Sequence, residues 1–336
     1  MGTLITGGTG FVGLALAERL IADGDEVVLF GANAPPSSVL EQCEIAAAKF
    51  AYGDIRSVED VDRVLSQGPF ERVVHMAAIT PGPERERAQA GRIVDVNIGG
   101  TVNLIERVTA TQPIRRIVVV SSVAVYGFSP PAPSGLYEEA TTCPAPAALY
   151  GITKLAAEQT ALRLGVLHDL DVRIARLGPV FGPWEYATGL RDALSPHLQV
   201  VSQARAGRAV ILPRPMAADW IYSRDAASGL AALLRAGSLN HSVYNLGGGR
   251  ITDLEQWSRA LAAQLGGFAW RVAAPGEAAT VAYGLPQDRA ALCTARLLAD
   301  TAHRNRFDPA TAASDFLAWA GEARAEPETR GTHEAP

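Results

Sequence analysis

Cysteine is scarce in this 336-residue sequence, which contains only three. Cys43, Cys143 and Cys293 lie far apart and form no Cys-x-x-Cys pair. This spacing argues against a structural zinc site and against a disulfide framework. We therefore expect a protein that binds no metal and that resides in the reducing cytoplasm.

Long apolar runs and clustered charges are also missing. No uncharged apolar stretch reaches the ~18 residues needed to span a bilayer. The opening MGTLITGG has no basic segment before an apolar one, as a signal peptide would. The net charge is −5, with no long run of one sign. We therefore expect no membrane span, and no partner bound through nucleic-acid phosphates.

The composition is that of a globular chain, with 48% hydrophobic and 19% charged residues. In the first half, strand-like apolar runs alternate with helix-like segments. The strand-like runs cover residues 2–6, 26–30, 72–76, 116–121 and 171–175, and the helix-like segments cover residues 11–22, 57–65, 92–109 and 148–164. Because the strands are continuously apolar, both of their faces should be buried. This predicts an α/β fold, a doubly wound parallel sheet of the Rossmann type.

The second half has a different composition and a different order of elements. Loops rich in glycine, proline and aromatic residues separate helix-like pieces at 196–206, 224–235 and 253–265. We expect a dinucleotide-binding Rossmann domain over residues 1–176, to which residues 219–250 return. Residues 177–218 and 251–320 should form a smaller, discontinuous substrate-binding cap, and residues 322–336 a flexible tail.

The segment TLITGGTGFVG follows the first strand and opens the first helix, and it spaces Gly7, Gly10 and Gly13 three residues apart. In a Rossmann turn, one glycine permits a tight turn and the next lets the backbone approach a pyrophosphate. The third lets the helix pack against the sheet. The positive end of the helix then receives the anion. The sequence therefore predicts a dinucleotide site.

The choice between NAD and NADP is not encoded in the usual way. Gly31 stands where an acidic residue normally accepts the ribose hydroxyls of NAD, and no lysine or arginine lies between Arg19 and Lys49 to bind a 2′-phosphate. Asn33 is a candidate for hydrogen bonds to the ribose. NAD is favoured, because a doubly charged phosphate without a cationic partner is costly, while NADP stays open.

Tyr150 and Lys154 stand four residues apart in a helix-like segment, so they share one face. A tyrosine with a pKa of about 10 is a poor base, but a nearby ammonium favours the phenolate and lowers that pKa. Tyr150 would then exchange a proton with an alcohol or ketone while hydride moves to or from a nicotinamide. Ser122 follows a strand whose carboxyl end should face the ligand, so its hydroxyl is expected to bind the reacting oxygen.

The motifs TGGTGFVG, VVHMAA, VNIGGT, VSSVAVYG and YGITK, in this order, resemble the extended short-chain dehydrogenase/reductase family, the NAD-dependent epimerase/dehydratase group. The resemblance runs from Thr3 to about Leu246. It implies that Ser122, Tyr150 and Lys154 form the catalytic triad, and that two copies pair through the helix carrying Tyr150 as a homodimer. The cofactor residues that it implies are Gly7, Gly10, Phe11 and Val12 at the pyrophosphate, Asp54 and Ile55 at the adenine, Ala77 and Ala78 along the cofactor, Asn97 as a support, and Lys154 at the nicotinamide ribose.

Departures from that family's pattern bear on the reaction. Val123 and Ala124 stand where the sugar dehydratases carry an Asp-Glu pair, so elimination of water is not expected. Pro179 and Ala218 stand where the sugar-nucleotide members carry an asparagine and an arginine. Because an arginine bond to a diphosphate contributes about 1.5–3 kcal/mol, these changes weaken the expectation of a nucleotide-sugar substrate. They do not exclude it, because another arginine could replace the missing contact; the candidates are Arg191, Arg208, Arg214 and Arg289.

Polar and aromatic side chains near the expected cleft are the candidates for substrate binding. They are Thr80, Ser122, Trp184, Arg191, Arg214 and Trp220. Aromatic side chains suit a sugar-like skeleton, and arginine suits a carboxylate or phosphate. Of these, Trp220 suits a core position better, and His75, which ends a buried strand, suits a structural role better than that of a proton shuttle. The sequence gives no reason to place Cys143 in catalysis, and it does not show whether His197 reaches the cleft.

Two classes of enzyme remain. The favoured one is an NAD(P)-dependent dehydrogenase or reductase that acts at a secondary alcohol or ketone of a small sugar-like or hydroxy-acid substrate. The alternative is a UDP-sugar 4-epimerase with tightly held NAD. A dinucleotide-sensing regulator on the same fold is disfavoured, because it would not need the Tyr150–Lys154 pair.

Overall fold

The computed structural model describes residues 2–40, 45–282, 284 and 288–322. Its strands are β1 (Gly2–Thr6), β2 (Glu26–Gly31), β3 (Lys49–Tyr52), β4 (Arg72–His75), β5 (Arg116–Ser122), β6 (Val172–Leu177), β7 (Val180–Phe181), β8 (Val210–Leu212), β9 (Ile221–Tyr222), β10 (Val243–Leu246) and β11 (Trp270–Val272). Seven of them form one parallel sheet in the order β10-β6-β5-β4-β1-β2-β3.

Helices connect these strands. They are α1 (Phe11–Ala22), α2 (Ser37–Leu40), α3 (Val58–Leu65), α4 (Pro83–Val94), α5 (Gly100–Thr111), α6 (Leu149–Leu167), α7 (Pro196–Arg205), α8 (Ser223–Arg235), α9 (Leu254–Gln264), α10 (Ala295–Thr301) and α11 (Pro309–Glu322). A π-helical turn at Asp95–Gly99 joins α4 to α5, and a 3₁₀ turn at Val123–Tyr126 follows β5.

The sheet is buried on both faces. Ile5 and its counterparts on the neighbouring strands pack against α1 and α8, and Leu4 and its counterparts pack against α3, α5 and α6. Adjacent residues of one strand therefore enter different cores, as the period of a strand requires. This arrangement confirms the predicted doubly wound parallel sheet, and it gathers the carboxyl ends of the central strands at one edge.

The sequence pattern missed β3 and most of α4. β3 is a short edge strand whose side chains are only partly covered. α4 has the sequence PERERAQAGRIV, in which only Ile93 is buried, so it carries no apolar stripe. Neither element has the hydrophobic period on which a prediction from sequence rests.

The second half adds a smaller unit beside the sheet. Its core joins Trp220 and Trp257 to Phe181 and Phe316, with contributions from α7, α9 and α11. Between these segments the chain returns to the large sheet through α8 and β10. We propose that residues 177–218 and 251–320 act as the substrate-binding cap, and that the domain built on the large sheet binds the dinucleotide.

None of the helices in the described part of the chain combines the length and apolarity of a membrane span. Cys143 and Cys293 are free thiols. Cys43 lies outside the described residues, as do residues 323–336 of the expected tail.

His75 and His197 are both buried histidines. The His75 ring lies 2.6 Å from the Thr6 hydroxyl and 2.9 Å from the Thr101 hydroxyl, and burial lowers its pKa to about 3. The His197 ring stacks on Phe181 with centroids 3.8 Å apart, and its Nδ1 has no hydrogen-bond partner in the described chain. Burial lowers the pKa of His197 well below its usual value, so the folded protein holds this ring neutral.

The replacement His197→Phe should stabilise the protein more at pH 5 than at pH 8. The unfolded chain binds a proton at this histidine below its ordinary pKa and the folded chain does not, so stability is lost as the pH falls. At pH 5 the loss is about 2 kcal/mol per buried histidine. Thermal unfolding at both pH values measures it, with exposed His168→Phe as the control. An equal gain at both pH values would contradict the expectation.

Candidate active site

The carboxyl ends of the sheet strands open into one cavity of about 740 Å³. Most of the side chains predicted for the site meet there, although they are far apart in the sequence. Those that line the cavity are Gly7, Gly10, Phe11, Val12, Gly13, Asn33, Asp54, Ile55, Ala77, Ala78, Thr80, Ser122, Tyr150, Lys154, Arg191 and Arg214.

The glycine loop fits a pyrophosphate. Gly7 has a φ of +67°, and a Cβ there would lie 2.7 Å from the backbone nitrogen of Ala77. A Cβ on Gly13 would lie 2.6 Å from the Gly7 carbonyl oxygen, so close packing requires both glycines. At Gly10 a Cβ would meet only the Gly7 oxygen, at 3.2 Å, so a larger side chain would extend into the cavity. Gly10 also caps α1 without a side chain, which leaves N–H groups of the first turn for an anion.

The end of β2 explains why no acidic residue stands there. A Cβ on Gly31 would lie 2.0 Å from the Thr9 hydroxyl, so a side chain would displace the glycine loop. Asn33 is exposed at the cavity. Asp54 also lines the cavity, but Arg56 Nε donates to its carboxylate at 3.0 Å, and this hydrogen bond holds the pKa of Asp54 below its usual value.

Tyr150 lies in the first turn of α6, with its phenol facing two hydroxyl groups. Burial raises the pKa of Tyr150, while hydrogen bonds with Ser122 and Thr80 and the charge of Arg191 oppose the rise. The expectation that Lys154 brings this pKa down is therefore wrong, because the net shift is upward and the cation that counteracts it is Arg191. The protein on its own keeps the phenol protonated at neutral pH.

Burial also alters the pKa of Lys154, the second titratable side chain of the pair. Its side chain is buried, and burial lowers its pKa to about 8, although the charge of Glu158 one turn later opposes this shift. Glu158 is itself fully buried and accepts a hydrogen bond from Arg176 Nη2 at 2.8 Å. Arg176 also donates to the Tyr126 hydroxyl at 3.0 Å, so α6 is fixed to β6 and to the turn after β5.

Asn97 supports the site from behind and does not line the cavity. Its amide oxygen accepts from the Ile79 backbone nitrogen at 2.8 Å, and its amide nitrogen donates to the Ile79 oxygen at 3.1 Å. The same nitrogen donates to the Thr153 hydroxyl at 3.0 Å. Asn97 thus fixes the chain next to Thr80 against the helix next to Lys154.

Trp184 does not line the cavity, contrary to the prediction for this residue. It is 1% exposed, and its indole N–H donates to Glu18 at 2.9 Å. The ring packs edge-on against Trp319 with centroids 5.7 Å apart. Burial and a partner on α1 make it part of the core between α1 and the second half of the chain.

Arg214 and Trp220 reach the cavity from the second half of the chain. Arg214 forms an ion pair with Asp288. Trp220 is 5% exposed, and its indole N–H donates to the Met216 oxygen at 3.0 Å, so it serves the core and the cavity wall together. His197 packs edge-on against Trp220 and lies behind that wall.

Tyr186 and Asp219 are among the cavity residues that the reasoning from sequence missed. The Tyr186 hydroxyl donates to the Thr9 carbonyl oxygen of the glycine loop. Asp219 accepts from the Leu292 backbone nitrogen at 3.0 Å, and burial raises its pKa to about 6. The sequence offered one signal for these residues, the aspartate next to Ala218. The contacts of Tyr186 with Thr9 and of Asp219 with Leu292 join distant segments of the chain, so no local pattern predicts them.

The fold and the cavity define a dinucleotide-binding α/β protein. The family model named NAD dependent epimerase/dehydratase family matches residues 3–247. UDP-glucuronate 4-epimerase 2 of Arabidopsis thaliana is 32% identical over 187 residues, which are 54% of this chain and 42% of the relative, so the chain spans less than half of that relative. UDP-glucose 4-epimerase of Streptomyces lividans is 30% identical over 265 residues, 73% of this chain and 75% of the relative.

The chain belongs to the NAD-dependent epimerase/dehydratase family, which confirms the resemblance seen in the sequence. The family's cofactor agrees with the expectation of NAD. Among solved structures, dTDP-glucose 4,6-dehydratase from Bacillus anthracis in complex with NAD has a TM-score of 0.77 at 20% identity, covering 96% of this chain and 97% of that one. This similarity shows a shared fold.

The replacement Gly10→Val should prevent NAD binding without unfolding the protein. The valine side chain would extend into the cavity, whereas the backbone at Gly10 already has extended angles that valine adopts. Titration calorimetry with NAD⁺ measures the affinity, and circular dichroism checks the fold. Gly91→Ala, where a Cβ meets no atom within 4 Å, is the control. Unchanged affinity in Gly10→Val would refute the placement of the pyrophosphate.

Proposed function

We propose that this chain is an NAD-dependent oxidoreductase that acts at a secondary alcohol or ketone of a small sugar-like or hydroxy-acid substrate. The observation that supports it best is the setting of Tyr150. Its phenol faces the Ser122 and Thr80 hydroxyls in a cavity that also contains the glycine loop. A ketone oxygen bound there would meet a proton donor and a second hydrogen-bond donor together.

The residues divide the work of the reaction. Bound NAD would accept or supply the hydride. The glycine loop and the first turn of α1 would hold its pyrophosphate, and Lys154 its ribose. Tyr150 would exchange the proton of the reacting hydroxyl, and Ser122 would orient that oxygen. Because burial keeps Tyr150 protonated at neutral pH, the site would hold a proton ready for a ketone oxygen.

The cavity wall favours a small substrate over a nucleotide sugar. Pro179 and Ala218 both line the cavity, and neither side chain has a donor for a diphosphate. The positions following Ser122 are Val123 and Ala124, so the wall there supplies no acid for the elimination of water.

A second candidate is a sugar-nucleotide 4-epimerase, which the relatives favour. The plant and Streptomyces proteins are named for the epimerisation of UDP-glucuronate and UDP-glucose. Such an enzyme would use the same Tyr150 chemistry but return the hydride to the opposite face of the ketone.

We also propose that the chain forms a homodimer through α5 and α6. Ile152 on α6 is 47% exposed, and Gln159 on the same helix is exposed. Burial of the Ile152 side chain against a second copy would remove apolar surface from water, which is favourable.

Tyr150→Phe should lower kcat by about 10²–10⁴-fold, because it removes the proton carrier. NAD⁺ affinity should be unchanged. The absorbance of reduced nicotinamide measures turnover with sugars, sugar acids and hydroxy acids as substrates, and NAD⁺ titration measures binding. Tyr52→Phe, at an exposed tyrosine outside the cavity lining, is the control. Wild-type turnover in Tyr150→Phe would show that Tyr150 is not the proton carrier.

UDP should not stabilise the protein. Pro179 and Ala218 have no side-chain donor for a diphosphate, so thermal unfolding with and without UDP should give the same Tm. A Tm that rises with UDP, together with NAD that remains bound through purification, would favour the epimerase over the dehydrogenase.

A further inference from the structure

Arg191 lines the cavity near Tyr150 and has no part in the proposed proton transfer. Its backbone forms a β-bridge with Thr80, one of the two residues whose hydroxyls face the phenol. Its guanidinium carbon lies 5.8 Å from the centroid of the Phe11 ring, at the start of α1. These contacts place the cation between the glycine loop and the Tyr150 end of the cavity.

A buried carboxylate fixes this guanidinium. Arg191 Nη1 donates to Glu185 Oε1 at 2.9 Å, and the Glu185 side chain is 1% exposed. The Ser195 backbone nitrogen donates to the same oxygen at 2.6 Å, and the Ser195 hydroxyl donates to Oε2. Ser195 also caps α7, so Glu185 is bound by a helix N-terminus on one side and by Arg191 on the other. The orientation of Arg191 is therefore built into the fold.

One edge of the guanidinium remains available to a ligand. Within the described ranges of the chain, neither Nε nor Nη2 of Arg191 donates to a protein acceptor, and the side chain is 28% exposed. These two N–H groups are parallel and match the two oxygens of a carboxylate. The same edge can bind a carboxylate or a phosphate, and the lack of side-chain donors at Pro179 and Ala218 favours the carboxylate.

We propose that Arg191 binds a carboxylate of the substrate beside the hydroxyl that reacts at Tyr150, so that the substrate is a hydroxy acid. This inference rests on the proposed function and narrows its substrate class. The charge of Arg191 acts on the Tyr150 phenol, in agreement with this proximity. The other source of anionic oxygens is the cofactor pyrophosphate, since Phe11 begins α1, and the test separates the two.

The test measures binding rather than turnover. Malonate, a dicarboxylate without a hydroxyl, is titrated by thermal unfolding into the protein saturated with NAD⁺, and malonamide at equal ionic strength is the neutral probe. Malonate should stabilise the wild type, and malonamide should not. Arg191→Gln should weaken malonate binding roughly tenfold or more, as expected for a charged hydrogen bond, and leave NAD⁺ affinity unchanged.

Two further variants make the result specific. Arg191→Lys keeps a cation beside Glu185, which guards against misfolding, but lacks the two parallel N–H groups, so it should also bind malonate more weakly. Arg208→Gln removes an exposed cation outside the cavity lining and should bind malonate as the wild type does.

The contrary results are distinct. Failure of malonate to bind the wild type, or equal binding by Arg191→Gln, would overturn the assignment of Arg191. Loss of NAD⁺ affinity in Arg191→Gln with malonate binding intact would assign the residue to the cofactor and overturn the proposal as well. If the protein oxidises neutral polyols and Arg191→Gln does not change that rate, the proposed hydride transfer is supported and the assignment of a hydroxy-acid substrate is wrong.

Discussion

The position of the half-buried Tyr150 phenol at the carboxyl edge of the sheet is the constraint on which the proposed chemistry depends. Loss of solvation raises its pKa, so the phenol keeps its proton, and hydrogen bonds with Ser122 and Thr80 moderate this effect. Three different elements supply these groups: the end of β5, the loop after β4 and the first turn of α6. The proton chemistry therefore requires that these elements keep their relative positions.

Buried polar contacts provide that rigidity. Asn97 bonds the loop after β4 to α6 through Ile79 and Thr153. The Glu158–Arg176 ion pair bonds the same helix to β6. Such pairs cost free energy to bury, and removal of one partner leaves an unpaired charge. We infer that they specify the alignment of the site more than they add to stability.

Local signals in the sequence predicted the sheet, the glycine loop and the positions of Tyr150 and Lys154. Continuous apolar runs and glycine spacing are properties of a few neighbouring residues, so they are visible without a structure. The indole of Trp184 donates to Glu18, and the backbone of Thr80 forms a β-bridge with that of Arg191. These contacts join distant segments, and no local pattern encodes them. The upward pKa shift of Tyr150 has the same origin, because burial is set by the whole fold.

The relatives bear on the fold and the cofactor, whereas the cavity wall bears on the choice of substrate. The family shares the fold and NAD, and the space at Gly10 would accommodate the pyrophosphate. Pro179, Ala218 and Arg191 line the same cavity, and we propose that this part of the wall selects the substrate. One fold can act on many substrates when the reacting groups are kept and the residues of the cavity wall differ.

A crystal structure grown with NAD⁺ is the most direct measurement of this arrangement. We expect the adenine near Asp54, the pyrophosphate at Gly10, and the nicotinamide ring beside the Tyr150 hydroxyl. A dinucleotide bound with its nicotinamide away from Tyr150, or bound outside this cavity, would contradict the proposed chemistry.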